Sequence, residues 1–463
     1  MTTNLLIKNA SAVMTGLSGH AARLDTTQGG DIRVIGGKIA AIGRLTPDAN
    51  ERVIDATDCV VYPGWVNTHH HLFQSLLKGI PAGINLALLP WLSAVPVPYR
   101  RFFDREEALR IAARIGIVEL LLSGCTTIAD HQYHYYPDIA YNASEAVFSE
   151  AEKLGVRFSL LRGGQTHMRI IDKQPPKECT PEPLDLIMRR IDDDVRRFHD
   201  GGDFSMRRVV SAITTPTWSC KPDELRELAR HARGLGIHLH SHLSETYDYV
   251  RYCREVYNCT PIDFCEQHDW LGKDVWFAHM VHLSQAEIEK CGATQTGISH
   301  CPQSNCRLAS GVAPVPEMLE ANVPVSLAVD GAASNEAADM ANEAHTAWMV
   351  HRAAKQNAAA IDAETVIHLG TQGGARVMGW NGIGTLEVGK AADIAIYSLD
   401  HPRYFGLHDV AVGPVVSGGS VHCKAVICNG RIVVEDGAIP GFDMEQLKHD
   451  AKRLVAMMIA NPV

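Results

Sequence analysis

Several side chains in this sequence have types and spacings that suit a metal centre working on water. His69 and His71 are two apart in the run WVNTHHH (residues 65 to 71). If that run is a strand, alternation sends both imidazoles to one side and His70 to the other. Two imidazoles on one face make half a metal site. His242, His279 and Asp330 each close another short apolar run, IHLHSH, VWFAHM and VSLAVD. Imidazoles joined by one carboxylate suit zinc or ferrous iron. Glu245 follows His242 by three residues and would sit just beyond the strand end. A carboxyl whose pKa is raised by burial can carry protons between water and a leaving nitrogen.

These residues meet only if the elements that carry them form a closed ring. From Pro63 to Gly382 short apolar runs alternate with helix-length amphipathic segments, the pattern of repeated strand–helix units. The predicted strands cover 65–71, 125–130, 156–162, 208–214, 237–242, 275–280, 296–301 and 325–330. Eight is the number that closes a parallel barrel, whose active sites lie at the C-terminal ends of the strands. Helices are predicted at Asp104 to Leu122, Asn142 to Leu154, Lys221 to Leu235 and Ser284 to Cys291, with a further one at Asp443 to Ala460. His238 and His240 share a face with His242 but lie deeper, suited to packing or to orienting a ligand. His131, His134, His282 and His300 receive no role from the sequence.

Both ends of the chain have a different texture. LLIKNA, DIRVIGGKIAAIG, RVIDA and CVVYP precede the barrel, and ADIAIYSL and KAVICNGRIVVEDG follow it, with Gly36-Gly37 and Asn429-Gly430 as two-residue hairpin turns. Neither end has strands enough for a core of its own, so the two are expected to build one composite β-sandwich. The predicted architecture is α/β: a distorted (β/α)8 TIM-type barrel, 63–382, inserted between 1–62 and 383–463, the latter ending in the terminal helix.

With those motifs in place, the chain resembles the amidohydrolase superfamily, and within it the cytosine/guanine deaminase-like branch. The resemblance rests on Asn67-Thr68-His69-His70-His71 with Gln74, the HxxE of His242 and Glu245, AHMVHLS around His279, HCPQSN with Asn305, VDGAASN from Asp330, and GTLEVGKAADIAIYSLD. It implies that His69, His71, His242 and Asp330 hold one divalent metal, zinc first and iron as the alternative. It makes Glu245 and His279 catalytic rather than ligands, with Asp330 taking a proton from the attacking water. Collapse of the tetrahedral centre would release ammonia. Relatives with two metals bridge them through a lysine on the fourth strand, and RVVSAITTP has none.

For substrate recognition, the expected contacts are Gln74, Trp91, Tyr133, Arg162 and Trp218: amide and guanidinium for ring polar edges, aromatics for a flat heterocycle. LLSGCTTIADHQYHYYP, Arg162-Gly163-Gly164 and NCRLASG resemble deaminases of oxidised bicyclic rings, those acting on isoxanthopterin and 8-oxoguanine. Thr214 to Cys220 reads TTPTWSC where the purine enzymes suggest a Cys-Ser-Pro stretch, which favours a pterin. The alternatives are an 8-oxoguanine or guanine deaminase, a triazine-type or nucleoside-type aminohydrolase, and a barrel without activity that serves as a binding scaffold.

Composition agrees with an enzyme of small molecules. The 463 residues are 46% hydrophobic and 21% charged, an ordinary globular balance. A formal charge of −10, from 43 basic and 53 acidic side chains, opposes nucleic acid and anionic membranes as partners. The 12 cysteines include no C-x-x-C pair and read as free thiols. Met1 to Gly19 lacks a basic stretch followed by an apolar one, so a cytoplasmic location is expected. The sequence leaves a homo-oligomer open, and the proline-containing segment Gly79 to Arg101 could serve as lid or interface.

Overall fold

The computed structural model describes residues 4–167 and 180–460. Eight parallel strands form the barrel: Trp65–Asn67, Cys125–Gln132, Arg157–Arg162, Arg207–Ala212, Leu239–Leu243, Val275–His279, Gly297–His300 and Val325–Leu327. Each pairs with the next in chain order. They are short and almost continuously buried, as strands covered on both faces must be. Helices cover the outside, and their ends follow local chemistry. Asn142 accepts a hydrogen bond from the backbone N–H of Glu145 to open Ala143–Leu154, and Gly155, at φ +75°, closes it.

The first and eighth strands are interrupted where continuous strands were expected. Thr68 leaves the ladder because its hydroxyl bonds Ser299 and Ser326 Oγ at 2.7 and 2.8 Å. On the eighth, Val329 N–H donates to the side chain of Asn67 at 3.0 Å in place of a neighbouring carbonyl. Beyond these breaks the two chains meet again, His70–His71 pairing in parallel with Asp330–Gly331. This two-residue ladder brings the ends of the first and eighth strands together at the site.

Two further sheets pack against each other below the barrel. One has the order Lys38–Gly43, Asp31–Ile35, Asn4–Lys8, Glu51–Asp55. The other has the order Arg431–Glu435, Cys423–Cys428, Ile394–Ser398, Cys59–Pro63, Ala12–Val13, and so mixes strands from both ends of the chain. Leu5, Ile7, Ile32 and Val34 of the first share a core with Val61, Ile394, Ile396 and Ile427 of the second. Asn429 and Gly430, at φ +48° and +77°, make the two-residue turn that the right-handed twist of the hairpin requires. The C-terminal helix, Met444–Ala460, buries Leu447, Leu454 and Met458 and packs on Glu106–Leu122. Among the described residues no helix is long and apolar enough to cross a membrane.

Candidate active site

Asp330 sits at the centre of the histidine group. Its Oδ1 is 3.2 Å from His69 Nε2 and 3.3 Å from His71 Nε2. His71 Nε2 is in turn 3.0 Å from His242 Nε2. His279 stacks on His242, ring centroids 5.6 Å apart, and its Nε2 lies 3.6 Å from Glu245 Oε2. The six residues of the sequence reading therefore converge at the C-terminal end of the barrel. His70 turns away to the helix side, where its Nδ1 accepts from the His71 N–H at 2.7 Å.

The remaining ring nitrogens show which atoms are free to bind. Backbone carbonyls only accept, so His71 Nδ1 donates to His131 O at 2.8 Å and His242 Nδ1 to Thr214 O at 2.6 Å. His240 Nδ1 donates to Trp276 O at 3.0 Å, which leaves its Nε2 to accept from His69 Nδ1 at 2.8 Å. In His69, His71 and His242 the proton thus lies on Nδ1 and Nε2 carries a bare lone pair. His69 Nε2 is buried without a hydrogen bond. Lone pairs 3.0 Å apart beside a carboxylate repel unless a cation joins them, and fixing the far nitrogen in this way is how metal-binding imidazoles are oriented. The donor set thus fits a divalent ion. Two overlapping groups could supply ligands: His69, His71, His131 and His242, or His69, His242, His279 and Asp330.

Electrostatics divides the two carboxyls. Burial pushes Asp330 upward, but the close approach of His69 and the influence of His279 and His71 overcome it and hold Asp330 well below its usual value. Burial pushes Glu245 up to about 7, against the opposing pull of His279 and the Ser310 hydroxyl, which donates to Oε1 at 3.2 Å. Asp330 is thereby held ionised, while Glu245 can hold a proton near pH 7. The backbone is strained where these groups emerge: Ser244, His279, Met280 and Asp330 all have positive φ, +50°, +76°, +43° and +61°. Non-glycine residues hold such angles only where surrounding contacts enforce them.

The expected substrate contacts separate into two kinds. Gln74 and Tyr133 stand at the site. The Tyr133 ring is edge-on to His71 at 5.0 Å, its hydroxyl is 3.5 Å from Gln74 Nε2, and Gln74 Oε1 is buried without a partner. Gln74 also lies so close to Gly331 that a Cβ there would overlap it, which explains glycine after Asp330. Arg162 is engaged elsewhere: both terminal nitrogens bond the buried Glu182 at 2.8 and 2.9 Å, with the guanidinium over the Tyr135 ring. Trp218 packs on Tyr249 and Tyr252, and Trp91 is buried in Leu88–Ala94 beside Gly83 and Val95.

Three neighbours of the site had no role in the sequence reading. His131 is fully buried, stacks on His242 at 4.8 Å, and neither ring nitrogen has a hydrogen-bond partner. Ser304 and Ser334 both donate to Asp330 Oδ2, at 2.6 and 3.0 Å. The HCPQSN and VDGAASN motifs contained both serines, but only the fold brings them to the carboxylate.

A barrel with this histidine and carboxylate grouping defines a class of metal-dependent hydrolases, and residues 60–433 match the family model described as "Amidohydrolase family". The chain belongs to the amidohydrolase family. It is 50% identical to an isoxanthopterin deaminase from an unknown prokaryotic organism, over 99% of this chain and 98% of that one. It is 35% identical to the 8-oxoguanine deaminase of Pseudomonas aeruginosa, over 88% of this chain and 89% of that one. The crystal structure of atrazine chlorohydrolase from Arthrobacter aurescens, complexed with zinc, superposes with a TM-score of 0.90 at 28% identity, covering 97% of this chain and 100% of that one.

Proposed function

We propose that the chain is a zinc-dependent aminohydrolase that removes the amino group of a pterin of the isoxanthopterin type as ammonia. The observation that carries this reading is the 50% identity to an isoxanthopterin deaminase across nearly the full length of both chains. His69, His71, His242 and Asp330 would hold a single ion. Bound there, a divalent metal lowers the pKa of its water from 15.7 to about 7. Asp330 takes a proton from the water that attacks the amino-bearing ring carbon. Glu245, protonated, delivers its proton to the adjacent ring nitrogen; the proton held on Asp330 then passes to the amino group, which departs as ammonia, and the proton of the added hydroxyl returns to Glu245 as the ring carbonyl forms. His279 donates its Nδ1 proton to Asn305 Oδ1 at 3.0 Å, so its Nε2 is an acceptor. That lone pair faces Glu245 and can accept a hydrogen bond from the hydroxyl added at the ring carbon, which steadies the tetrahedral centre.

Gln74 and Tyr133 are the proposed contacts to the heterocycle, Gln74 through its unpartnered oxygen. Arg162, paired with Glu182, would shape the pocket wall from behind. The acidic balance and these contacts support a small heterocyclic partner. The shared sheet of Cys59–Pro63 and Ile394–Ser398 supports the proposed division into 1–62, 63–382 and 383–463.

A second reading, an 8-oxoguanine deaminase, is supported by the 35% relative. Ammonia release should be measured with isoxanthopterin, 8-oxoguanine, guanine, cytosine and adenosine, alongside elemental analysis of the purified protein. Isoxanthopterin should give the highest kcat/KM, with zinc near one per chain. A higher value with 8-oxoguanine would move the assignment to the purine, and no ammonia from any of them, with metal bound, would leave a binding scaffold.

A further inference from the structure

Three consecutive side chains of the short helix Pro302–Arg307 reach three different parts of the site. Gln303 is anchored at the rear: its backbone N–H and its Nε2 donate to the two oxygens of Glu343 at 2.9 and 2.7 Å. Glu343 is fully buried on helix Met340–Lys355, so this anchor is tied to a sixteen-residue helix outside the barrel. Ser304 Oγ donates to Asp330 Oδ2 at 2.6 Å and lies 3.0 Å from Ser334 Oγ. Asn305 Oδ1 accepts from His279 Nδ1 at 3.0 Å.

We infer that Gln303, Ser304 and Asn305, braced by Glu343, form a positioning clamp that fixes Asp330 and His279 relative to each other. A carboxylate can rotate about its last bond and present either oxygen. Here two hydroxyls, Ser304 and Ser334, engage Oδ2 alone, which leaves Oδ1 toward His69 and His71. An imidazole can hold its proton on either nitrogen. Asn305 holds it on Nδ1 and turns the bare Nε2 of His279 toward Glu245. Asp330 and His279 both emerge from left-handed backbone, where side-chain direction depends on outside contacts. Because adjacent residues make both contacts, a shift of the helix would move both groups together. These are positioning residues, since none is placed against substrate.

The inference rests on the proposed deaminase site, so its test includes readings that need no turnover. The variants are Ser304→Ala, Asn305→Leu and Asn305→Asp, the last keeping an acceptor oxygen. In protein labelled with 15N-histidine, the His279 signals, identified by loss in His279→Gln, should show the Nδ1–H tautomer. That signature should vanish in Asn305→Leu and persist in Asn305→Asp. With cobalt in place of the native metal, the visible absorption bands should shift in Ser304→Ala as the carboxylate swings. With isoxanthopterin as substrate, Ser304→Ala and Asn305→Leu should each lower kcat about tenfold or more, with KM changed less than threefold and metal content equal to the parent. Parent-like nitrogen shifts in Asn305→Leu together with parent-like cobalt bands in Ser304→Ala would overturn the clamp. If Asn305→Leu loses its fold by circular dichroism, Asn305→Ala takes its place under the same criteria. Failure of the parent to release ammonia would overturn the deaminase assignment, while the nitrogen and cobalt readings would still decide the clamp.

Discussion

At the scale of single residues, the site depends on which nitrogen of each histidine keeps its proton. His240 illustrates this: by accepting from His69 Nδ1 it leaves His69 Nε2 as a lone pair facing Asp330. Replacing His240 with phenylalanine removes that acceptor while filling the space. Metal affinity should fall about 10- to 100-fold, the range for losing a partner of a metal-bound imidazole, and competition with a chelator would measure it. Affinity equal to the parent would remove His240 from the metal site. Glu245 makes a different demand. Glu245→Gln keeps the shape and the Ser310 contact but cannot release a proton, so kcat should fall about 10²- to 10⁴-fold with metal content intact. A metal-loaded, active variant would dismiss Glu245 as proton carrier. His71, His242, His279 and Asp330 were legible in the sequence because each lies at the end of a predicted strand, and Glu245 because it follows one by three residues. Ser304, His131 and Glu182 were not, because their importance comes from partners that are distant in the chain or from burial that no local pattern encodes.

Among the elements, the barrel strands followed from apolar runs of strand length, and their number from counting. What the sequence could not show was how the ring closes. The breaks at Thr68 and Val329 arise from side chains, Thr68 on two serines and Asn67 on a backbone N–H, which substitute for ladder bonds. The join between barrel and small sheets was equally hidden. Asp393, one residue before the strand Ile394–Ser398, pairs through both oxygens with Arg157 on the third barrel strand, at 3.1 and 3.2 Å. It also accepts from Asn429 N–H at 2.7 Å, inside the hairpin turn. Arg157 is fully buried and bonds the carbonyls of Phe204 and Ser205 as well. Removing one member of a buried ion pair strands the other charge, at a cost of about 3–5 kcal/mol. Asp393→Ala should therefore lower unfolding stability by that amount in urea titration. A loss below about 1 kcal/mol would show that water or the two carbonyls suffice for Arg157.

For the molecule as a whole, the many buried histidines make stability a function of pH. Burial holds His238 and His351 at about 4 and His70 at about 3, against 6.5 for a free imidazole. His131, His134 and His300 are held well below 6.5 by the same cause, burial first and neighbouring charges second. A group whose folded value is depressed lets the unfolded chain take up protons first. Its contribution is intact above pH 6.5 and is lost as pH falls through the folded value, at about 1.4 kcal/mol per pH unit for each group. The buried carboxyls Asp130, Asp194 and Glu245, raised by burial to about 7, 6 and 7, act in the opposite sense, as do Glu343 and Asp339, which burial also raises. Their share is present below the unfolded value and fades as pH rises toward the folded one. The histidines outnumber them, so the sum favours neutral pH. Metal-free protein should unfold at a lower urea concentration at pH 5 than at pH 7. Metal should widen the gap, since its histidine ligands bind it only when unprotonated. A midpoint at pH 5 equal to or above that at pH 7 would mean that the carboxyls, rather than the imidazoles, set the acid response of this barrel.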